Sequence, residues 1–268
     1  MSNSIKEEKI IIEEQIKIVT KLYNEKKFQE IILLTENLLK EHNDNLNLLN
    51  AMALGYKGLG KSEKSKEIYK KILQLELNPN FPYVYSNAGN LFLDLGEIDK
   101  AVECHKITLR FDKNNLNSIN GMGLAYVNSG KDEEAIKCFK QALSIDPKHD
   151  YSNFNLGNVY RIKERFKEAI KCYEYSERKL SKSNQLECIY KDNDKSLFNE
   201  KLRILIDKGR INPLIASLSS HASIRFSQKD EYPFCPDPMN FIENSSLYDD
   251  ERFNDELIAR FLNDINNV

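Results

Sequence analysis

Apolar residues in this chain fall at intervals of three and four, the period that turns one face of an α-helix toward a core. The pattern is clearest between Leu116 and His149, LNSINGMGLAYVNSGKDEEAIKCFKQALSIDPKH, which reads as one helix–turn–helix unit of 34 residues. Gly130-Lys131 breaks its first helix and Asp146-Pro147 ends its second. Gly123 and Ala135 are small where two helices must approach, and Tyr126 and Phe139 are large where a core must be filled. The same registers return in residues 82–115 (Tyr85, Ala88, Gly89, Phe92, Ala101, His105, Thr108) and 150–183 (Leu156, Gly157, Tyr160, Ala169, Tyr173, Ser176). Looser versions occupy residues 12–45, with Phe28, Ile31, Ile32, Thr35, Leu38 and Leu39, and 46–81, with Leu49, Met52, Ala53, Tyr56, Ser65, Tyr69 and Ile72. The connection after the second unit, through Asn78-Pro79, is two residues longer than the others. A single helix pair has too little apolar surface to fold alone, whereas a stack of them buries a continuous core. The pattern therefore predicts an all-α, right-handed superhelical solenoid. Its first helices line the concave surface and its second helices cover the outside.

Five repeats account for residues 1–183, with the first helix beginning near a Ser4–Glu7 capping box. Residues 184–228 read as a degenerate sixth pair, ending at Lys208-Gly209-Arg210, and a capping helix opened by Asn212-Pro213. Residues 229–248 form a connector in which Pro233, Pro236 and Pro238 exclude a helix or a central strand. Residues 249–268 read as a terminal helix with Phe253, Leu257, Phe261 and Ile265 on one stripe, the start of a further domain if the coding sequence continues.

Charge narrows the function classes. Basic and acidic residues balance, 39 against 41, which argues against a nucleic-acid-binding chain. No secretory leader and no apolar run of about 20 residues is present, so the expectation is a cytoplasmic protein without a membrane partner. Of the five cysteines, Cys104, Cys138 and Cys172 are 34 residues apart and occupy one register of three successive repeats. That places them about 10 Å from one another, too far for a disulfide or a shared metal. HxE, HExxH, GxSxG and GxGxxG are absent; His42-Asn43-Asp44 spells a lone HxD and Gly55–Ser62, GYKGLGKS, has the Walker spacing, but the latter falls on a predicted helix and its turn with no strand before it. His221 sits on a partly apolar helix, and Ser219, Ser220 and His221 diverge around it. No catalytic residue, metal ligand or cofactor is expected.

Asparagine is the more informative residue. The third repeat reads SNAGN and the fifth FNLGN, so Asn87 with Asn90, and Asn155 with Asn158, share a helix face three residues apart. The core glycines Gly89 and Gly157 fix that face as the concave one. An Asn side chain both donates and accepts, so it can pair with a peptide backbone without reading side chains. Tyr83, Asp94, Asn120, Asn128, Tyr151 and Arg161 complete the candidate groove, with Asn120 and Gly121 interrupting an unbroken Asn ladder.

Met122-Gly123, Tyr126, Ala135, Phe139, Ala142 and Pro147 resemble the tetratricopeptide repeat pattern, and the resemblance spans roughly residues 12–183. Ser181 stands where the fifth repeat would carry Pro, and His105 and Thr108 depart in the third. The inner asparagines are similar to those of tetratricopeptide proteins that hold extended peptides, including protein O-glycosyltransferases. The family resemblance implies a protein-interaction scaffold that takes a protein or peptide partner in its groove. Self-association and an intramolecular occupant stay open. Separately, NPLIASLSSHASIRF followed by EYPFCPDPMNFI, within residues 212–268, looks like the segment joining such repeats to an iron- and 2-oxoglutarate-dependent oxygenase domain. It implies the alternative of a docking region for an enzyme whose catalytic domain is absent from these residues.

Overall fold

A computed structural model describes residues 14–178, 180–210 and 212–229. The Ser4–Glu7 capping box, the proline-rich connector and the terminal amphipathic stripe lie outside these residues. Every regular element among the described residues is helical. Residues 14–24 are helical and are designated α1. There follow α2 (Phe28–Leu38), α3 (Leu46–Gly58), α4 (Ser62–Gln74), α5 (Pro82–Asp94), α6 (Ile98–Phe111), α7 (Leu116–Asn128), α8 (Asp132–Ile145), α9 (Asp150–Ile162), α10 (Phe166–Glu174), α11 (Ser181–Lys191), α12 (Lys195–Asp207) and α13 (Pro213–Arg225).

Local chemistry sets the helix ends. Asn45 accepts hydrogen bonds from the backbone N–H groups of Asn47 and Leu48, and Asn115 accepts one from that of Ser118. Each satisfies a donor that the first helical turn leaves open. The turn inside each pair needs one left-handed residue. Gly60, Gly96 and Gly130 supply it at no steric cost, whereas Lys26 and Glu164 adopt it at φ of 58° and 57°. The longer connection before α5 is pinned where the Asn78 N–H donates to the Tyr85 hydroxyl at 2.7 Å.

The chain divides into two compact units, residues 1–182 and 183–268. In the first, each odd helix from α3 to α9 packs on its even partner, and each even helix from α2 to α8 also packs on the next odd one. α3, α5, α7 and α9 lie side by side in succession. The core runs through these layers. Tyr69, Tyr85, Phe92, Phe139 and Tyr173 are fully buried. A glycine on the odd helix admits the large ring of the even one: a Cβ on Gly89, Gly123 or Gly157 would come within 2.7, 2.4 and 2.8 Å of His105, Phe139 and Tyr173. α10 is shorter than its counterparts because Asp150 captures the chain just beyond it. The Asp150 carboxylate accepts from the Ser176 hydroxyl at 2.9 Å and from the Glu177 N–H at 2.7 Å. α11 consequently starts at Ser181, earlier than the boundary the periodicity predicts.

In the second unit Tyr190, Phe198 and Phe226 form a ring triad with centroids 5.8–6.0 Å apart. Arg225 lies over Tyr190 and donates to its carbonyl at 2.8 Å, and Lys195 donates to the carbonyl of Phe226 at 2.7 Å. His221 is exposed on α13. No described helix is long and apolar enough to cross a membrane.

Candidate functional site

The face made by α3, α5, α7 and α9 carries the predicted asparagines, but not as isolated groups awaiting a ligand. Asn87 on α5 donates from Nδ2 to Oδ1 of Asn50 on α3 at 3.1 Å. Asn155 on α9 donates in the same way to Asn120 on α7 at 3.0 Å. Each acceptor receives a second bond: Asn50 from the Tyr69 hydroxyl at 3.0 Å, and Asn120 from Ser152 at 3.4 Å. These side chains therefore do not simply face solvent. Asn50 and Asn120 are 7% and 8% exposed, and their partners are half-buried. The pairs bridge neighbouring repeats, so they hold the face together as well as furnish it. Asn87 and Asn155 each keep an acceptor oxygen with an open lone pair and a second amide hydrogen.

The other expected residues divide by partner. Tyr83, 43% exposed, donates its hydroxyl to Asn47 on α3, and burial of part of its ring raises its pKa. Tyr151, 54% exposed, lies under the Arg178 guanidinium, 4.4 Å from the ring centroid. Asn158 accepts from the Tyr173 hydroxyl at 2.7 Å. Asp94 forms an ion pair with Lys57 at 2.6 Å, so the acid and base largely cancel there. Asn90 and Asn128 have no hydrogen-bond partner among the described residues. Arg161 is half-buried near the end of α9. Asn90, Asp94, Asn120, Asn128 and Tyr151 come together around one hollow of about 490 Å³, with Lys57, Asn117 and a floor of Leu93 and Leu124.

Lys57, Asn47, Asn50 and Asn117 were not among the expected residues. A signal for three of them exists: LNLLN opens α3 and LNSIN opens α7, each with two asparagines three residues apart. That is the spacing that singled out SNAGN, displaced along the helix. Lys57 has no comparable motif.

A second hollow, about 750 Å³, lies on the even-helix side. Leu73, Ile98, Val102 and Ile107 contribute apolar surface, and Lys70, Lys106, Arg110 and Lys131 stand at its edge with Asp99 and Glu103. The cysteines Cys104, Cys138, Cys172 and Cys188 are free thiols. Burial pushes Cys104 up to about 12 and Cys172 up to about 11, which keeps both protonated and poor nucleophiles. Among the described residues no cluster of His, Cys, Asp and Glu could hold a metal ion.

Comparison with known proteins follows the same lines. A family model described as TPR repeat matches residues 123–161, and one described as tetratricopeptide repeat matches residues 46–79 and 151–174. No curated protein gives a significant match. Among solved structures, PilF of Pseudomonas aeruginosa is similar over 77% of this chain and 95% of its own, with a TM-score of 0.64 at 11% identity. A tetratricopeptide repeat protein of Parabacteroides merdae covers 94% of this chain and 97% of its own, with a TM-score of 0.59 at 13% identity. MamA of Desulfovibrio magneticus covers 59% of this chain and 88% of its own, with a TM-score of 0.52 at 18% identity. At such identities the likeness speaks for the fold alone. None of these matches concerns an oxygenase, and most of the segment that resembles an oxygenase linker lies outside the described residues. Residues 46–79 and 123–174 match models of the tetratricopeptide repeat, within an all-α helical-repeat solenoid.

Proposed function

We propose that this chain is a non-catalytic interaction scaffold and that it binds an extended peptide segment along the α3–α5–α7–α9 face. The observation that carries this reading is the pair of bridging amides, Asn50–Asn87 and Asn120–Asn155, on one helix face. Each leaves a donor and an acceptor of Asn87 or Asn155 with unused capacity. That combination suits a peptide group, which offers one N–H and one C=O per residue. The 490 Å³ hollow supplies room beside them, and its paired Lys57 and Asp94 impose little net charge on an occupant.

The test needs a ligand and three proteins. Peptides are selected from a displayed library of random 18-residue sequences on the full chain, then titrated against wild type, Asn87→Ala with Asn155→Ala, and Lys137→Ala with Lys171→Ala. The asparagine variant loses hydrogen bonds of about 0.5–1.5 kcal/mol each, and about 1.4 kcal/mol is one decade in affinity. It therefore binds about tenfold or more weakly, and the lysine variant binds as wild type does. Equal affinity for all three proteins would remove this face from the binding reaction.

A further inference from the structure

The odd helices match more closely at two units than at one. α3 and α7 share six residues at equivalent helix positions: Leu46/Leu116, Asn47/Asn117, Asn50/Asn120, Met52/Met122, Leu54/Leu124 and Tyr56/Tyr126. α5 and α9 share Tyr83/Tyr151, Asn87/Asn155, Gly89/Gly157 and Asn90/Asn158. The adjacent helices α3 and α5 share none, α5 and α7 share a glycine alone, and α7 and α9 share Ser118/Ser152, Gly123/Gly157 and Tyr126/Tyr160, none of them an asparagine. The bonding follows the same alternation. The amide bridge spans α3–α5 and α7–α9, whereas between α5 and α7 the contact is Ser118 to Ser86 at 3.0 Å, with Gly121 where an Asn would stand.

The even helices do not keep this period. The run Glu-Ala-Ile-Lys-Cys occurs in the adjacent helices α8 and α10, at residues 134–138 and 168–172. α6 and α10, two units apart, share Ala and Cys from that run. Copying a block of two repeats would have carried its even helices along. The two-unit period belongs to one face of the molecule, and most of the shared polar residues are the ones that furnish it.

Resting on the reading that this face binds peptide, we infer that it presents two subsites built from the same residue types and that its partner is an extended polypeptide carrying the same short, uncharged element twice. The first subsite is Asn47, Asn50, Tyr83, Asn87 and Asn90; the second is Asn117, Asn120, Tyr151, Asn155 and Asn158. Neither set itself contains a charged residue, so each favours an element of backbone amides with neutral side chains, and both tyrosines are exposed, with the Arg178 guanidinium lying over one face of Tyr151. Two helix–helix spacings of about 8–10 Å separate the subsites. An extended chain advances about 3.3 Å per residue, so the two elements stand about six residues apart.

The test uses the peptides selected on the full chain from the random 18-residue library. Selected sequences are expected to contain one short element twice, centred about six residues apart. Replacing either copy by Gly-Ser lowers affinity about tenfold or more, because the second contact is then lost from an already tethered chain. Lengthening the spacer by three residues has a similar effect. Tyr83→Ala and Tyr151→Ala, both at exposed rings outside the amide bridges, weaken binding by factors within about threefold of each other. Thermal melts confirm that both variants fold. A peptide that contains one element, or that responds to one tyrosine variant and not the other, overturns the tandem arrangement and leaves the groove intact. Failure to select any binder, or binders indifferent to both tyrosines and to Asn87 and Asn155, overturns the groove reading and this inference with it.

Discussion

At the scale of single residues, the packing turns on small groups facing large rings. Gly123 is the sharpest case. A methyl group there would stand 2.4 Å from the fully buried Phe139 ring, so the ring or its helix would have to shift. Gly123→Ala is expected to destabilise the protein by about 1–3 kcal/mol, measured by denaturant unfolding. Glu164 sits in the opposite situation, holding a left-handed backbone that glycine adopts freely. Glu164→Gly should raise stability by up to about 1 kcal/mol in the same measurement.

His105 replaces the aromatic ring of its register and is fully buried between Gly89 and Gly121, with Nε2 lacking a hydrogen-bond partner. Burial lowers its pKa to about 4. The neutral form is the one the fold accepts, so its contribution is complete above the unfolded pKa of about 6.5. It is lost progressively as pH falls from there toward about 4, an effect on the order of 3 kcal/mol. His105→Phe should flatten that part of the stability profile. Carboxylates titrate in both proteins and cancel in the difference, so parallel pH profiles for the two would contradict this account.

At the scale of elements, the sequence pattern located most of the helices of the first unit, because a glycine or charged turn and an apolar stripe recur at a fixed interval. Gly60, Gly96 and Gly130 announce their turns in the sequence; Lys26 and Glu164, which take the same left-handed backbone, do not. α10 shows where periodicity fails. Its early end depends on a carboxylate, Asp150, that lies far away in sequence from Ser176 and Glu177. The asparagine face was half legible. SNAGN and FNLGN mark asparagines on α5 and α9, but spacing within one helix cannot show a partner on the next. The bridges to Asn50 and Asn120 arise only from the stacking of one repeat on the next. A double-mutant cycle of Asn50→Ala and Asn87→Ala should therefore give a coupling of about 0.5–1.5 kcal/mol in folding stability. Additive losses would mean that the two amides do not bond across the repeats.

At the scale of the whole molecule, stacked repeats expose two surfaces to a partner: the amide-lined face of the odd helices and the basic-edged hollow on the even-helix side. The account assigns the ligand to the first. Hydroxyl-radical footprinting of the full chain with a selected peptide distinguishes them most directly. Tyr83 and Tyr151 are 43% and 54% exposed on the odd-helix face, and Leu77, 36% exposed, reports on the other hollow. The account predicts that saturating peptide protects Tyr83 and Tyr151 and leaves the oxidation of Leu77 unchanged. Protection of Leu77 with both tyrosines as reactive as in the free protein would contradict it.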